Sequence, residues 1–322
     1  MSENTLNTDN SNQDAEEISR KGCFVHLSVS SWGARRKMST GTIDLGDTDK
    51  AMVRMSKDLI ERAYLKPLKS AAHAGKEAIH RWSIPFEIRG VHFVPNGLVR
   101  QVVDAVREQE QVFFGKVEEF ISHYREYVAE ARERLGANFI PEEYPSEAEI
   151  RDKFDWRIKV MSMSSPDHME QLDPQLFQQA QADFQREMSE FRQTAMDTLR
   201  SRFAETVGHL VERLKPNADG KRKIFKDATI QNMRDFLTDF EALNLTNDGS
   251  LAEQVERVRG LMAGVEPGDL RDNAAFAERL AGQMDEAREA VVGMLTTAKR
   301  RIRLPVQEAE QDGASDGEAL PW

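Results

Sequence analysis

The sequence predicts a mainly α protein with a small antiparallel β-sheet, an α+β fold in which long coiled-coil-like helices emerge from a small sheet base. Three observations carry this. Charged residues make up 31% of the 322 residues and aromatic residues only 7%, a balance typical of solvated helices. Apolar residues recur at alternating four- and three-residue spacing after Val99 and again after Asp173, which marks helix seams. Short alternating runs stand far apart in the chain, so their strands must meet through long connections.

In "CFVHLSVSS", Cys23, Val25, Leu27 and Val29 alternate with His26, Ser28 and Ser30, the pattern of a half-buried strand. Ser31, Trp32 and Gly33 read as its exit. Gly33 is expected to permit the turn and Trp32 to cap the sheet core, with Arg35, Arg36 and Lys37 facing solvent on the next segment. A helix is expected over 48–82, interrupted or kinked at Pro67, since proline removes a backbone donor. "PFEIRGVHFVP" sets Phe86 and Ile88 before Arg89-Gly90, and Val91 and Phe93 after it, which predicts a hairpin with a two-residue turn.

From Val99 one seam runs through Val103, Val106, Glu110, Phe113, Val117, Phe120, Tyr124, Tyr127 and Ala131 to Arg134. "FDWRIKVMSM" then alternates Trp156, Ile158 and Val160 against Asp155, Arg157 and Lys159, giving a fourth strand. Asp173 as N-cap before Pro174 opens a long helix. In it Phe177, Phe184 and Phe191 recur every seven residues, and it should stop at Pro216. Shorter helices follow near 226–243 and 250–264, and a last one at about 267–303 carries a seam of Leu280, Met284, Ala287, Val291, Met294 and Ala298. The organisation expected is an acidic disordered tail (1–20), an α+β base with a long helix (21–165), a helical coiled-coil-like region (166–304) and a second acidic disordered tail (305–322).

The net charge of −11 is concentrated at the ends: −4 over residues 1–20 and −5 over 305–322, leaving the body close to neutral. Overall acidity therefore does not exclude a nucleic-acid partner, although no basic domain marks one. Cys23 is the single cysteine, so no intrachain disulfide forms. No apolar run approaches the ~18 residues that cross a bilayer, and the polar N-terminus does not read as a signal peptide. A cytoplasmic protein without membrane partners is expected.

Nucleotide, metal and nucleophile motifs are weak. Gly75-Lys76 in "AHAGKEA" lacks the upstream glycine and the Ser/Thr of a phosphate-binding loop and lies within a helix; Phe114-Gly115-Lys116 fails likewise. His73, Glu77 and His80 share one helix face but offer too few ligands. No catalytic, cofactor or metal residue is assigned. The candidate polyanion- or partner-binding residues are Trp32, Arg35, Arg36 and Lys37, with Lys221, Arg222 and Lys223 in a second basic cluster. The terminal "SDGEALPW" resembles the acidic tip of bacterial single-stranded-DNA-binding proteins, which makes Leu320, Pro321 and Trp322 a candidate partner-recruiting tip.

The segment "LSVSSWGARRKM" (Leu27–Met38), followed by a long helix and later by "FDWRIKVMSM", resembles an uncharacterised family of phage, plasmid and bacterial proteins catalogued as domain of unknown function 3150. The resemblance rests on the strand leading into Trp32-Gly33, on Arg35, Arg36 and Lys37, and on the order strand, helix, hairpin, long helix. It implies a partner or adaptor role near MoxR-like AAA+ ATPases and supplies no catalytic residue. The function expected is that of a non-enzymatic helical interaction or assembly protein of a phage or mobile element. It would be homo-oligomeric and act with an AAA+ ATPase or a DNA-processing partner. The alternative is a single-stranded nucleic-acid-binding or recombination accessory protein that uses the acidic tip.

Overall fold

The computed structural model describes residues 16–38, 49, 52–164, 173–216 and 227–301, the last six by backbone alone. It is mainly helical with a four-stranded antiparallel sheet and a two-stranded ribbon. By contact density the chain divides into two units, residues 1–199 with 235–249, and residues 200–234 with 250–322. Among the described residues no helix is long and apolar enough to cross a membrane.

The first unit opens with a helical turn, α1 (16–20). Its Ile18 is buried in the sheet core. Strand β1 (Gly22–Ser30) lies in the interior of the sheet, between β5 (Val91–Pro95) and the edge strand β6 (Asp155–Met161), and β4 (Ile84–Pro85) pairs with β5 to form the other edge. An interior strand covered on both faces buries consecutive residues. Accordingly Phe24 and Val25 are both inaccessible, where alternation alone predicted one buried face. On one face Phe24 packs edge-on to Phe86 (4.7 Å between centroids) and Phe93 (5.2 Å), and Phe191 from α6 (Pro174–Leu214) stands 5.1 Å from Phe93.

Helix α2 (Arg62–His80) covers the other face. Here the Trp156 indole lies against Gly75, where an added Cβ would come within 2.1 Å of its Cη2. Close packing, not phosphate binding, is what Gly75 in "AHAGKEA" provides. The helix expected from residue 48 starts only at Arg62 and continues through Pro67. Before it, β2 (Arg35–Met38) and β3 (Met55–Asp58) pair as an antiparallel ribbon that sequence patterning misses. The hairpin of β4 and β5 is present, but its loop runs over 86–90, with Gly90 at φ +80°, and Ile88 is exposed. Pro85 fits because β4 is an edge strand. On β6, an edge strand, Trp156 is buried as expected, whereas Val160 is 51% exposed.

The expected helix from Val99 is two helices, α3 (Val99–Ser122) and α4 (Tyr124–Leu135). Ser122 Oγ donates to the Glu119 carbonyl (2.7 Å), and His123 Nδ1 lies 2.9 Å from the same oxygen. Side chains competing for a helical carbonyl account for the break there. The seam of α3 is filled within the chain: Val106, Phe113, Val117 and Phe120 are buried as α3 packs on α2, with Phe113 5.3 Å from Trp156 and Phe120 5.9 Å from Phe154. A short capped helix, α5 (Glu147–Arg151), leads into β6. Helix α6 begins as expected, with Asp173 Oδ1 accepting from the backbone N–H of Gln175 (2.9 Å) and Leu176 (3.1 Å), a side-chain N-cap.

In the second unit the remainder of α6 contributes buried Phe203, Val207, Leu210 and Leu214, and the start of α7 (Asp227–Leu243) contributes Ile230 and Met233. Helix α8 (Gly249–Met262) adds Leu251, Val255 and Val258. The expected last helix is broken at Asn273 into α9 (Pro267–Asp272) and α10 (Ala274–Arg301), because Asn273 Oδ1 accepts from the Phe276 N–H (3.0 Å) and caps the second piece. Of the expected α10 seam, Leu280, Met284, Ala287 and Val291 are buried and Met294 is half-buried, while the Ala298 side chain lies outside what the structure describes. At its edge Asp285 joins Lys215 (2.6 Å) and Arg288 (2.6 Å), which hold its carboxyl below the usual carboxylate range.

Candidate functional site

After β1 the chain turns through Trp32, Gly33 and Ala34. The residue with left-handed backbone is Ala34 (φ 46°), not Gly33, beside which an added Cβ would meet open space. Ala34 is held there because it is buried and its carbonyl accepts the Leu59 N–H (2.8 Å). Trp32 is half-buried and packs edge-on to Tyr124 (5.8 Å) and beside Phe120 (6.4 Å), so it seats the turn on the α3–α4 junction rather than capping the sheet.

The three cations that follow lie on strand β2 and have different fates. Arg35 Nε donates to Asp58 Oδ1 (3.2 Å), and Arg62 Nε donates to Asp58 Oδ2 (2.8 Å). These partners, Arg62 first, keep the Asp58 carboxyl below the ordinary range. Arg35 therefore closes the ribbon onto α2. Arg36 and Lys37 are exposed and make no ion pair among the described residues. Lys57, opposite Arg36, is buried and donates to the Asn138 carbonyl (2.5 Å), with Glu143 Oε2 2.6 Å away as a charge contact. Lys221, Arg222 and Lys223, and Leu320, Pro321 and Trp322, lie outside the described residues.

The Lys57 anchor holds the segment "FIPEEYPSE" against the ribbon, and Tyr144 Oη donates to the Leu59 carbonyl (2.7 Å). Between this segment and α4 runs an apolar groove of about 620 Å3 lined by Tyr124, Val128, Phe139, Pro141, Tyr144 and Pro145. Phe139 and Tyr144 stack at 4.7 Å, and burial pushes both Tyr124 and Tyr144 up to about 12. The Tyr124 hydroxyl is buried with no hydrogen-bond partner among the described residues. At the rim Arg125 pairs with Glu147 (2.5 Å). Trp32, packed on Tyr124, thus stiffens the groove wall. Sequence reading placed Tyr124 in a helix seam and gave the groove no role; the signal for it was the density of aromatic and proline residues in "FIPEEYPSE".

A second cleft, about 410 Å3, lies between the start of α2 and α4. Its charged groups bond one another: Arg134 bonds Glu61 (2.5 Å) and Glu130 (3.0 Å), and Tyr64, stacked on Tyr127 at 3.9 Å, donates to Glu130, which lifts the Tyr64 hydroxyl to about 12. The Glu130 carboxyl, accepting from Tyr64 and Arg134, is held below the usual carboxylate range. His73 approaches Glu77 (3.8 Å), whereas His80 turns to His92 (4.4 Å between rings). Among the described residues no group of three or more His, Cys, Asp or Glu is placed to hold a metal ion. Cys23 is half-buried, and burial raises its thiol pKa, which disfavours the thiolate.

A family model described as "Protein of unknown function (DUF3150)" matches residues 20–268, well over half of the chain. The chain belongs to this family. The match takes in the β1–Trp32 turn, the ribbon, the groove and the long helix α6, and ends at the start of α9. No curated protein and no solved structure matches this DUF3150 chain.

Proposed function

We propose that this DUF3150 protein is a non-enzymatic interaction protein of a phage or other mobile element. It assembles with an AAA+ ATPase or a DNA-processing protein by receiving an apolar, proline- or aromatic-bearing segment of that partner. The observation that carries the reading is the groove of Tyr124, Val128, Phe139, Pro141, Tyr144 and Pro145. Rings and prolines give up little side-chain freedom on contact, so such a wall binds an extended segment at low entropic cost. The AAA+ partner is what the family resemblance implies. Self-association belongs to the same reading, supported by exposed Val112 and Phe114 on α3 and by exposed Val160 and Met161 on the edge strand β6.

Val128→Glu puts a charge in the groove wall at a half-buried position. Affinity for a purified MoxR-like ATPase is expected to fall about tenfold or more, ~1.4 kcal/mol, with an unchanged circular dichroism spectrum. Undiminished binding would remove the groove from the interface.

Arg36 and Lys37, exposed and unpaired among the described residues, favour the second reading, a single-stranded nucleic-acid-binding accessory. In that reading Lys221, Arg222 and Lys223 also bind phosphates and Leu320, Pro321 and Trp322 recruit repair factors. Arg36→Ala with Lys37→Ala is then expected to reduce the slope of log K against log salt for an oligonucleotide by about 1.4, ~0.7 for each phosphate no longer neutralised. A slope identical to that of the parent chain eliminates these two residues as phosphate ligands.

A further inference from the structure

Five basic or titratable side chains that are dispersed in sequence come together on the sheet-containing unit. His26 on β1, Lys76 and His80 on the last turns of α2, Arg89 in the 86–90 loop, and His92 on β5 line one cleft of about 290 Å3. The tight loop makes this convergence. Gly90 holds φ +80°, and an added Cβ there would stand 3.4 Å from the His26 ring, so the loop folds directly over His26. The His80 and His92 rings stand 4.4 Å apart at 57°, and Ser83 Oγ lies 3.3 Å from His92 Nδ1 and fixes that ring.

The charge balance of the cleft is one-sided. No carboxylate lines it. Lys76 and Arg89 are exposed and have no ion-pair partner among the described residues, whereas Arg35, Lys57, Arg62, Arg134 and Arg151 of the same unit are all paired. Of the acids on neighbouring segments, Glu77 faces His73, Asp235 holds Arg81, Asp239 accepts the Trp82 indole N–H (2.8 Å), and Glu87, in the same loop as Arg89, is not among the lining residues. Two permanent cations and three imidazoles, each carrying at least one N–H in any tautomer, form a donor-rich set with no carboxylate in the lining. Such a set suits a multiply charged oxyanion, because charge-assisted hydrogen bonds to its oxygens are the strongest these groups make.

We propose that this cleft binds a phosphate group, as the free ion or as the terminal group of a phosphomonoester. Leu27 and Ile79 also line it and supply an apolar floor against which an ester substituent can lie. The assignment is independent of the partner groove, which is built from other elements.

The test is isothermal titration calorimetry on the full chain at neutral pH and constant ionic strength, with inorganic phosphate, adenosine monophosphate and adenosine as probes. Phosphate is expected to bind saturably in the millimolar range or tighter, and adenosine not at all. Adenosine monophosphate binding more tightly than phosphate identifies a phosphomonoester as the physiological source, and equal affinity identifies the free ion. Lys76→Ala with Arg89→Ala, both surface changes, should weaken phosphate about tenfold or more, and His80→Gln should weaken it further. The paired control Arg100→Ala with Arg107→Ala, two exposed cations of α3 outside the cleft, should leave it unchanged. The proposal is overturned if phosphate shows no saturation up to about 20 mM, if the Lys76/Arg89 variant binds as the parent does, or if the Arg100/Arg107 control loses affinity equally.

Discussion

Replacing Gly75 by alanine lowers the stability of the sheet-containing unit by about 2 kcal/mol, although helix propensity alone would raise it by ~1 kcal/mol. The sign is decided by Trp156. The new methyl would lie 2.1 Å from Cη2 and 2.6 Å from Cζ2 of an indole that is itself only 6% exposed. That ring is backed by fully buried Phe113 at 5.3 Å, so it has no free direction in which to move. Overpacking of this kind typically costs 1–3 kcal/mol, and a contact this short belongs at the upper end, about 3 kcal/mol before the propensity gain is subtracted. Gly115 supplies the control, since it is an exposed glycine of α3 with nothing near an added Cβ. Gly115→Ala is expected to stabilise by about 0.5–1 kcal/mol. Urea unfolding followed by tryptophan fluorescence reads the outcome, because Trp32, Trp82 and Trp156 all belong to this unit. A Gly75→Ala protein as stable as Gly115→Ala would mean the indole is not seated on α2. Gly75→Ala combined with Trp156→Phe should recover part of the loss, since the smaller ring vacates the space the methyl needs.

These two Gly-Lys pairs show how far the sequence was legible. Both failed as phosphate loops on spacing, but only the fold separates a glycine that admits a ring from one that admits nothing. Periodicity located the seams of α3, α6 and α10 because a buried helical stripe repeats every three to four residues whatever covers it. It was silent on the cover, since the same stripe suits another chain or, as for α3, the neighbouring α2. The β2–β3 ribbon escaped because "RRKM" and "MSKD" are polar on both faces and carry no alternation. The helix breaks at His123 and Asn273 depend on one or two side-chain hydrogen bonds to the backbone, which leave the apolar pattern intact. Trp32, Arg35, Arg36 and Lys37 were readable as a group, yet the ribbon spends Arg35 on Asp58 and leaves Arg36 and Lys37 outward. The histidine-lined cleft was invisible, because positions 26, 80 and 92 meet only when β1, α2 and β5 pack.

Phe191→Ala is expected to cost about 3–5 kcal/mol, a larger loss than that at Gly75. Phe191 is 3% exposed and completes a ring of four aromatics with Phe24, Phe86 and Phe93, standing 5.6 Å from Phe86 and 5.1 Å from Phe93. It is the means by which α6 closes the second face of β1, with Met188 and Ala195 in the same core cluster. Burial of the side chain accounts for ~2–3 kcal/mol, and the edge-to-face pair with Phe86 adds about 0.5–1.5 kcal/mol beyond burial. The surrounding rings are rigid and come from three other elements, so the cavity left by truncation does not collapse, which keeps the cost near the top of the range. The heptad partner Phe177 makes the comparison informative. It shares the seven-residue spacing but is only half-buried and lies outside the aromatic cluster, so Phe177→Ala should cost under ~1.5 kcal/mol. Both variants are measured by urea unfolding with the same tryptophan signal. Equal losses at the two positions would show that α6 does not cover the sheet through Phe191, and would return the seven-residue repeat to being a seam for some other surface.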